Sequence, residues 1–144
     1  MKELYSLHVK LGFGSSPDTP QVFSERISRL IFDYNNWNNR DFDAKDKSGN
    51  AVEIKATGSS KGTTSINLKI INVNKSIFSH ILWLYLDFER DQMNFKIIPI
   101  SALAERLSKI DSTKDRENIT LSELAISRKI TLQIDIKNKS LIKI

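Results

Sequence analysis

Asp43, Glu53 and Lys55 lie in two short stretches, Phe42-Asp43-Ala44 and Val52-Glu53-Ile54-Lys55, joined through Asp46-Lys47-Ser48-Gly49-Asn50. Glycine and asparagine in that connection are turn formers, so the two stretches are expected to pair as a hairpin. A turn centred on Ser48 sets Asp43 directly opposite Glu53. Lys55 then follows two residues along the same face, while Val52 and Ile54 point to the other face and anchor the ribbon. Two like charges about 4 Å apart repel by roughly 4 kcal/mol at an effective dielectric of ~20. Such a cross-strand pair is unfavourable unless something neutralises it. A divalent cation does so, and hard oxygen donors select Mg²⁺, Mn²⁺ or Ca²⁺ over zinc. Mg²⁺ held by one or two carboxylates keeps positions for water and a phosphate oxygen, which is what phosphodiester hydrolysis requires. On this reading Lys55 orients the attacking water or stabilises charge building on the phosphate, and the backbone carbonyl of Ile54 is a third protein ligand. The same side chains also suit a solvated strand face on which Lys55 screens its neighbours, an arrangement worth at most a few tenths of a kcal/mol per pair. Spacing alone leaves both open.

The elements that must hold these residues follow from periodicity and turn chemistry. Gly12 to Pro17 reads as loop, and Thr19-Pro20 as a cap followed by proline at the first helical position. Phe23, Ile27, Leu30, Ile31 and Tyr34 recur at helical spacing, predicting a helix over 20–34 with that stripe inward, ended by Asn35 to Asn39. Strands are expected over 41–45 and 51–57, then a polar loop over 58–62 and a further strand over 65–73. Ile81 to Leu86 is nearly continuous in apolar character, as a strand buried on both faces would be. Residues 94–100 answer it after a charged turn, with Pro99 ending the pairing. Ser101 is expected to cap a second helix carrying Leu103, Leu107 and Ile110. Asp111 to Asn118 reads as a charged connection, and Thr120-Leu121-Ser122-Glu123 as a capping box opening a short third helix. Residues 131–136 and 141–144 suit a closing hairpin. The fold expected is α/β (α+β): a mixed central sheet of about five strands flanked by helices.

Composition narrows the partners. The chain has 144 residues, 40% hydrophobic and 27% charged, which is one globular domain over 1–144. It has no cysteine and only two histidines, His8 and His80, so thiolate zinc sites, disulfides and multi-histidine metal sites are excluded. Twenty-two Lys and Arg stand against seventeen Asp and Glu, a net charge of +5 that favours polyanionic partners such as nucleic acid. No apolar run approaches the ~18 residues of a membrane span, and no secretory signal is readable. The expected location is cytoplasmic, with no membrane partner.

Phe42 through Lys55 resembles the signature of the PD-(D/E)XK nuclease superfamily, most of all the small type II restriction endonucleases. In these an aspartate, a glycine-bearing turn and a Glu-x-Lys strand occur at this separation. The likeness continues more weakly through Ile81–Leu86 to Ile100–Leu103. It departs at Phe42, where the family name has proline. The resemblance implies a restriction-endonuclease-like sheet, Asp43 and Glu53 holding Mg²⁺ (Mn²⁺ substituting), and Lys55 as the catalytic lysine. Many relatives add a helical glutamate to the metal site, and Glu25 is the candidate here, although helical geometry turns it away from the buried stripe. The activity implied is a Mg²⁺-dependent endonuclease cutting double-stranded DNA at a short palindromic site. Such a site calls for a homodimer. Residues 1–18 would then serve dimerisation or DNA contact. A structure-selective nuclease, such as a Holliday-junction resolvase or DNA-repair enzyme, shares the fold. A non-catalytic nucleic-acid-binding module shares only the surface. Ser59, Ser60, Lys61, Thr63, Thr64, Ser65, Asn67 and Lys69 follow the active-site strand and suit phosphate and base-edge contacts. Trp83, Tyr85 and Phe95 are expected in the core, and Lys75 in solvent.

Overall fold

The first helix is set by its small residues as much as by its large ones. A computed structural model describes residues 20–37, 41–87, 89–110 and 115–144, with side chains from Phe23 onward. Expectations for the N-terminal 18 residues, the Thr19 cap, Asn38, Asn39 and 111–114 lie outside the described residues. Helix α1 spans Pro20–Phe32. Phe23 and Ile27 are buried as expected, but so are Ser24 and Ser28, whereas Leu30 is 74% exposed. The two serines rotate the buried stripe and let the backbone approach the sheet, which swings Leu30 into solvent. Asp33, at φ 57°, ends the helix earlier than expected, and the Tyr34 N–H donates back to the Arg29 carbonyl at 2.9 Å. This is a left-handed exit that aspartate tolerates.

Among the described residues nine strands follow: β1 (Asn35–Asn36), β2 (Ala44–Lys45), β3 (Ala51–Thr57), β4 (Thr63–Asn67), β5 (Phe78–Asp87), β6 (Gln92–Pro99), β7 (Arg116–Thr120), β8 (Arg128–Asp135) and β9 (Ser140–Lys143). Seven form one sheet in the order β1-β2-β3-β5-β6-β8-β9, and β4 pairs with β7 separately. The sheet is thus mixed and flanked by helices, with seven strands rather than five. Among the described residues its one parallel pair is β3 with β5, and the crossover between them carries β4 and helix α2 (Leu68–Val73).

The β2–β3 turn fixes the register on which the site depends. Asp46 Oδ1 accepts from the N–H groups of Ser48 and Asn50, each at 2.9 Å, and Gly49 takes φ 83°, which a side chain would resist. Ala44 then pairs with Val52 and Lys45 with Ala51, as a turn about Ser48 demands. β2 is shorter than expected because Phe42 leaves the ladder to pack in the core.

Two cores lie on the two sides of the sheet. Phe23 and Ile27 of α1 meet Val52, Ile54, Leu82, Leu84 and Phe95 on one face. On the other face Ile81, Trp83 and Ile98 meet Ile66, Leu68, Ile71, Leu103, Leu107 and Ile119. β5 is therefore buried on both faces, as its apolar run predicted, and Trp83 is fully buried.

Three expected elements differ. The strand over 65–73 stops at Asn67, whose side chain accepts from the Ile70 N–H at 3.1 Å and starts α2. Ser101 caps nothing: Ile100–Leu103 is a 3-10 turn leading into α3 (Ala104–Ser108), with no side-chain cap at either start. The capping box over 120–123 yields only a 3-10 turn, because the Thr120 hydroxyl pairs with Thr63 Oγ1 at 2.9 Å instead. No helix among the described residues is long and apolar enough to cross a membrane.

Candidate active site

Asp43 sits one step beyond the last β2–β3 pair, and its N–H donates to the Val52 carbonyl at 3.2 Å. Its Oδ2 accepts the Ile54 N–H at 2.7 Å, so a side chain takes over from the missing strand. The N–H and C=O of one strand residue leave by the same edge. The Ile54 carbonyl therefore faces the edge on which Asp43 stands. Glu53 and Lys55 share the opposite strand face, with Lys55 Nζ 2.7 Å from Glu53 Oε1 and side chains only 18% and 15% exposed.

Burial makes this cluster short of positive charge. It raises the proton affinity of Asp43, against which the Ile54 N–H and the Lys55 ammonium act. Glu53 is pushed up to about 7 by burial first and by the Asp43 charge second, and Lys55 and Arg116 offset only part of that. Glu25 also stands close enough to lower the proton affinity of Asp43. The expectation that Glu25 points away from the site is thus corrected. Asp43 lies at the sheet edge, beneath the flank of α1 rather than its buried stripe, and that flank carries Glu25. Arg29, one turn on, lies 4.0 Å from Glu25 and donates to the Asp43 carbonyl at 3.3 Å.

Two carboxylates on neighbouring β segments, with a backbone carbonyl on the same edge, are oxygen donors that could serve a hard cation. Among the described residues no group of three or more His, Asp or Glu is arranged to hold an ion by itself. A cation here would complete its shell from water and from the oxygens of a bound substrate, as Mg²⁺ commonly does.

The polar residues after β3 divide in two. Ser59, Ser60 and Lys61 form an exposed loop closed by Gly62, whose N–H donates to the Ser59 carbonyl at 3.2 Å. Thr63, Thr64, Ser65 and Asn67 lie on β4, where Asn67 spends its carbonyl on the α2 cap. Lys69 lies on α2, paired with Asp115 at 3.4 Å.

Sequence reasoning missed two features. Arg116 begins β7, donates from Nε to Ser65 Oγ at 3.0 Å, and lowers the proton affinity of Glu53. It was read as part of a charged connection. The strand registers also align Lys55 with Trp83, Trp83 with Lys96, and Lys96 with Lys129. Lys96 Nζ stands 4.9 Å from the Trp83 ring and 5.1 Å from that of Tyr85, a cation–π arrangement. A cationic row thus crosses four strands away from the site. The signal that finds it is register, which becomes readable only once strand order is known. No protein-family model and no curated protein matches the chain, which leaves the chemistry of these residues to indicate their use.

Proposed function

We propose that the chain is a Mg²⁺-dependent DNA endonuclease of the PD-(D/E)XK kind, with a restriction-endonuclease-like core, cutting double-stranded DNA at a short palindromic site as a homodimer. One observation carries this reading. Asp43 and Glu53 lie half-buried together on adjacent β segments, their charge only partly met, with the Lys55 ammonium 2.7 Å from Glu53. A purely structural cluster gains nothing from an uncompensated buried acid, whereas a cation site requires one.

Asp43, Glu53 and the Ile54 carbonyl are the groups that would hold Mg²⁺, which when bound polarises a phosphate oxygen and acidifies a water. Lys55 stabilises the charge that develops on the phosphate as water attacks. Glu25 and Arg29 fix the orientation of Asp43. The row Lys55, Lys96 and Lys129 supplies positive charge along which a phosphate backbone can run.

The test is a plasmid digest with Mg²⁺. Wild-type protein is expected to give discrete fragments. Lys55→Ala should lower the cleavage rate by about 10²-fold or more, the loss typical of removing one donor to a developing oxyanion, while duplex binding persists. Cleavage unchanged by that substitution would remove the lysine from the mechanism. That no three acids or histidines among the described residues are arranged to hold an ion by themselves favours a second reading, a nucleic-acid-binding module without catalysis. Wild-type protein that binds duplex but leaves it intact at every Mg²⁺ and Mn²⁺ concentration would establish that reading instead.

A further inference from the structure

We infer that the β4–β7 ribbon reads base sequence in the major groove of duplex DNA, an inference that takes its substrate from the nuclease reading above. Paired residues of an antiparallel ribbon share a face. Thr63 faces Thr120, Ser65 faces Asn118 and Asn67 faces Arg116, and these pairs share one side. Ile66 and Ile119 lie on the other side, both buried in the core. The outward face therefore carries six hydrogen-bonding side chains and no apolar one. Glu117, the ribbon's only acid, is on the inner side and is paired with Arg106. The face that meets solvent thus has an arginine and no carboxylate, a charge pattern suited to DNA.

Geometry points the same way. The major groove is about 12 Å wide and admits a two-stranded ribbon. Five residue pairs at ~3.3 Å each make an element of about 16 Å, the rise of four or five base pairs. The ribbon is joined to the candidate site by the five residues from Gly58 to Gly62. It is tied down by the Leu121 N–H to Gly62 carbonyl bond at 3.4 Å and by the Thr63–Thr120 hydroxyl pair at 2.9 Å. Arg116 is close enough to Glu53 to lower its proton affinity. A phosphate held by Lys55 beside Glu53 would therefore lie next to the groove that the ribbon enters. Arg116 uses Nε on Ser65 at 3.0 Å, and Arg116 and Asn118 both stand at exposed positions of β7. These are the groups that match guanine O6/N7 and adenine N6/N7.

The experiment is selection of bound duplexes from a random pool without Mg²⁺, for wild type, Asn118→Ala and Thr63→Ala, with circular dichroism of each. It is followed by methylation interference on the selected duplex. Wild type is expected to enrich one short motif. Asn118→Ala should lose about tenfold discrimination at one or two positions within it, as loss of a bidentate base contact does. Interference should fall on guanine N7, in the major groove, and not on adenine N3, in the minor. A motif unchanged in both variants, interference confined to adenine N3, or no enrichment by wild type would each overturn the ribbon's role. Plasmid cleavage with Mg²⁺ is scored separately. Cleavage alongside any of those three results leaves the hydrolytic site standing, and an enriched motif without cleavage leaves the ribbon standing.

Discussion

Glu53 holds its proton near neutral pH because the fold encloses it with Asp43 and supplies too little positive charge. A cation that relieves this repulsion binds the native chain and not the unfolded one, so it must stabilise the fold. Millimolar Mg²⁺ at pH 7.5 is expected to raise the thermal midpoint of the wild type by a few degrees and to leave that of Glu53→Gln unmoved. Differential scanning calorimetry of both proteins with Mg²⁺ and with EDTA checks it, and equal shifts would locate the ion elsewhere. His80 gives a prediction of opposite character. Its ring is buried between Ser79 Oγ at 2.7 Å and the Tyr34 hydroxyl at 2.8 Å, and burial lowers its proton affinity. Below the ordinary histidine pKa of ~6.5 the unfolded chain takes up a proton that the native ring refuses. Stability is therefore fully present above that pH and is lost as pH falls toward the lowered native value, by at most about 1.4 kcal/mol per pH unit. Urea midpoints between pH 7.5 and 5.5 should fall more steeply for wild type than for His80→Asn. Parallel slopes would mean that the ring titrates normally.

At the scale of elements, the β3-to-β4 bend is the joint on which site and ribbon both depend. A Cβ at Gly62 would run into the Thr57 side chain, whose hydroxyl is already fixed by the Ser59 carbonyl at 2.7 Å and the Trp83 indole at 2.8 Å. Gly62→Ala is expected to cost about 1–3 kcal/mol, the range for overpacking, read as a lower urea midpoint. An unchanged midpoint would show that the bend yields freely. The same elements show what a sequence discloses. Asp43, Glu53 and Lys55 were legible because Asp46, Ser48 and Gly49 form a turn whose chemistry is local and whose register carries the pair with it. Helix α2 was not, since Ile66, Leu68 and Ile70 satisfy a two-residue period as well as one helical turn, and Asn67 breaks the tie through a single cap. β7 was hidden for another reason. Arg116, Glu117 and Asn118 have no strand character of their own and become a strand only by pairing with β4, a contact across 49 to 53 residues. Glu25 was judged by its helix alone, and the position of Asp43 at the sheet edge decided otherwise.

For the whole molecule, the nuclease proposal turns on how many copies would meet the DNA. One chain presents one Asp43–Glu53–Lys55 centre, enough for one strand, and a palindrome offers the second strand to a twofold-related copy. Sedimentation of the Lys55→Ala protein on its selected duplex in Ca²⁺ is expected to give two chains per duplex. One chain per duplex, with nicking of a single strand by the wild type, would instead mark a nickase.

The long reach from β4 to β7 also governs when the protein acquires its properties. Thr63 and its partner Thr120 are 57 residues apart, so β4 leaves the ribosome seconds before anything can pair with it, at ordinary translation speeds of ~5–20 residues per second. Through that interval Ile66 has no ribbon to bury it, and the strand edge is open to any chaperone or stray peptide. Asp43, Glu53 and Lys55 are encoded entirely before this point, and the outward face of the ribbon is completed only after it. Under the nuclease proposal, the groups meant for hydrolysis are thus synthesised before Arg116 and Asn118, the groups meant to choose its target.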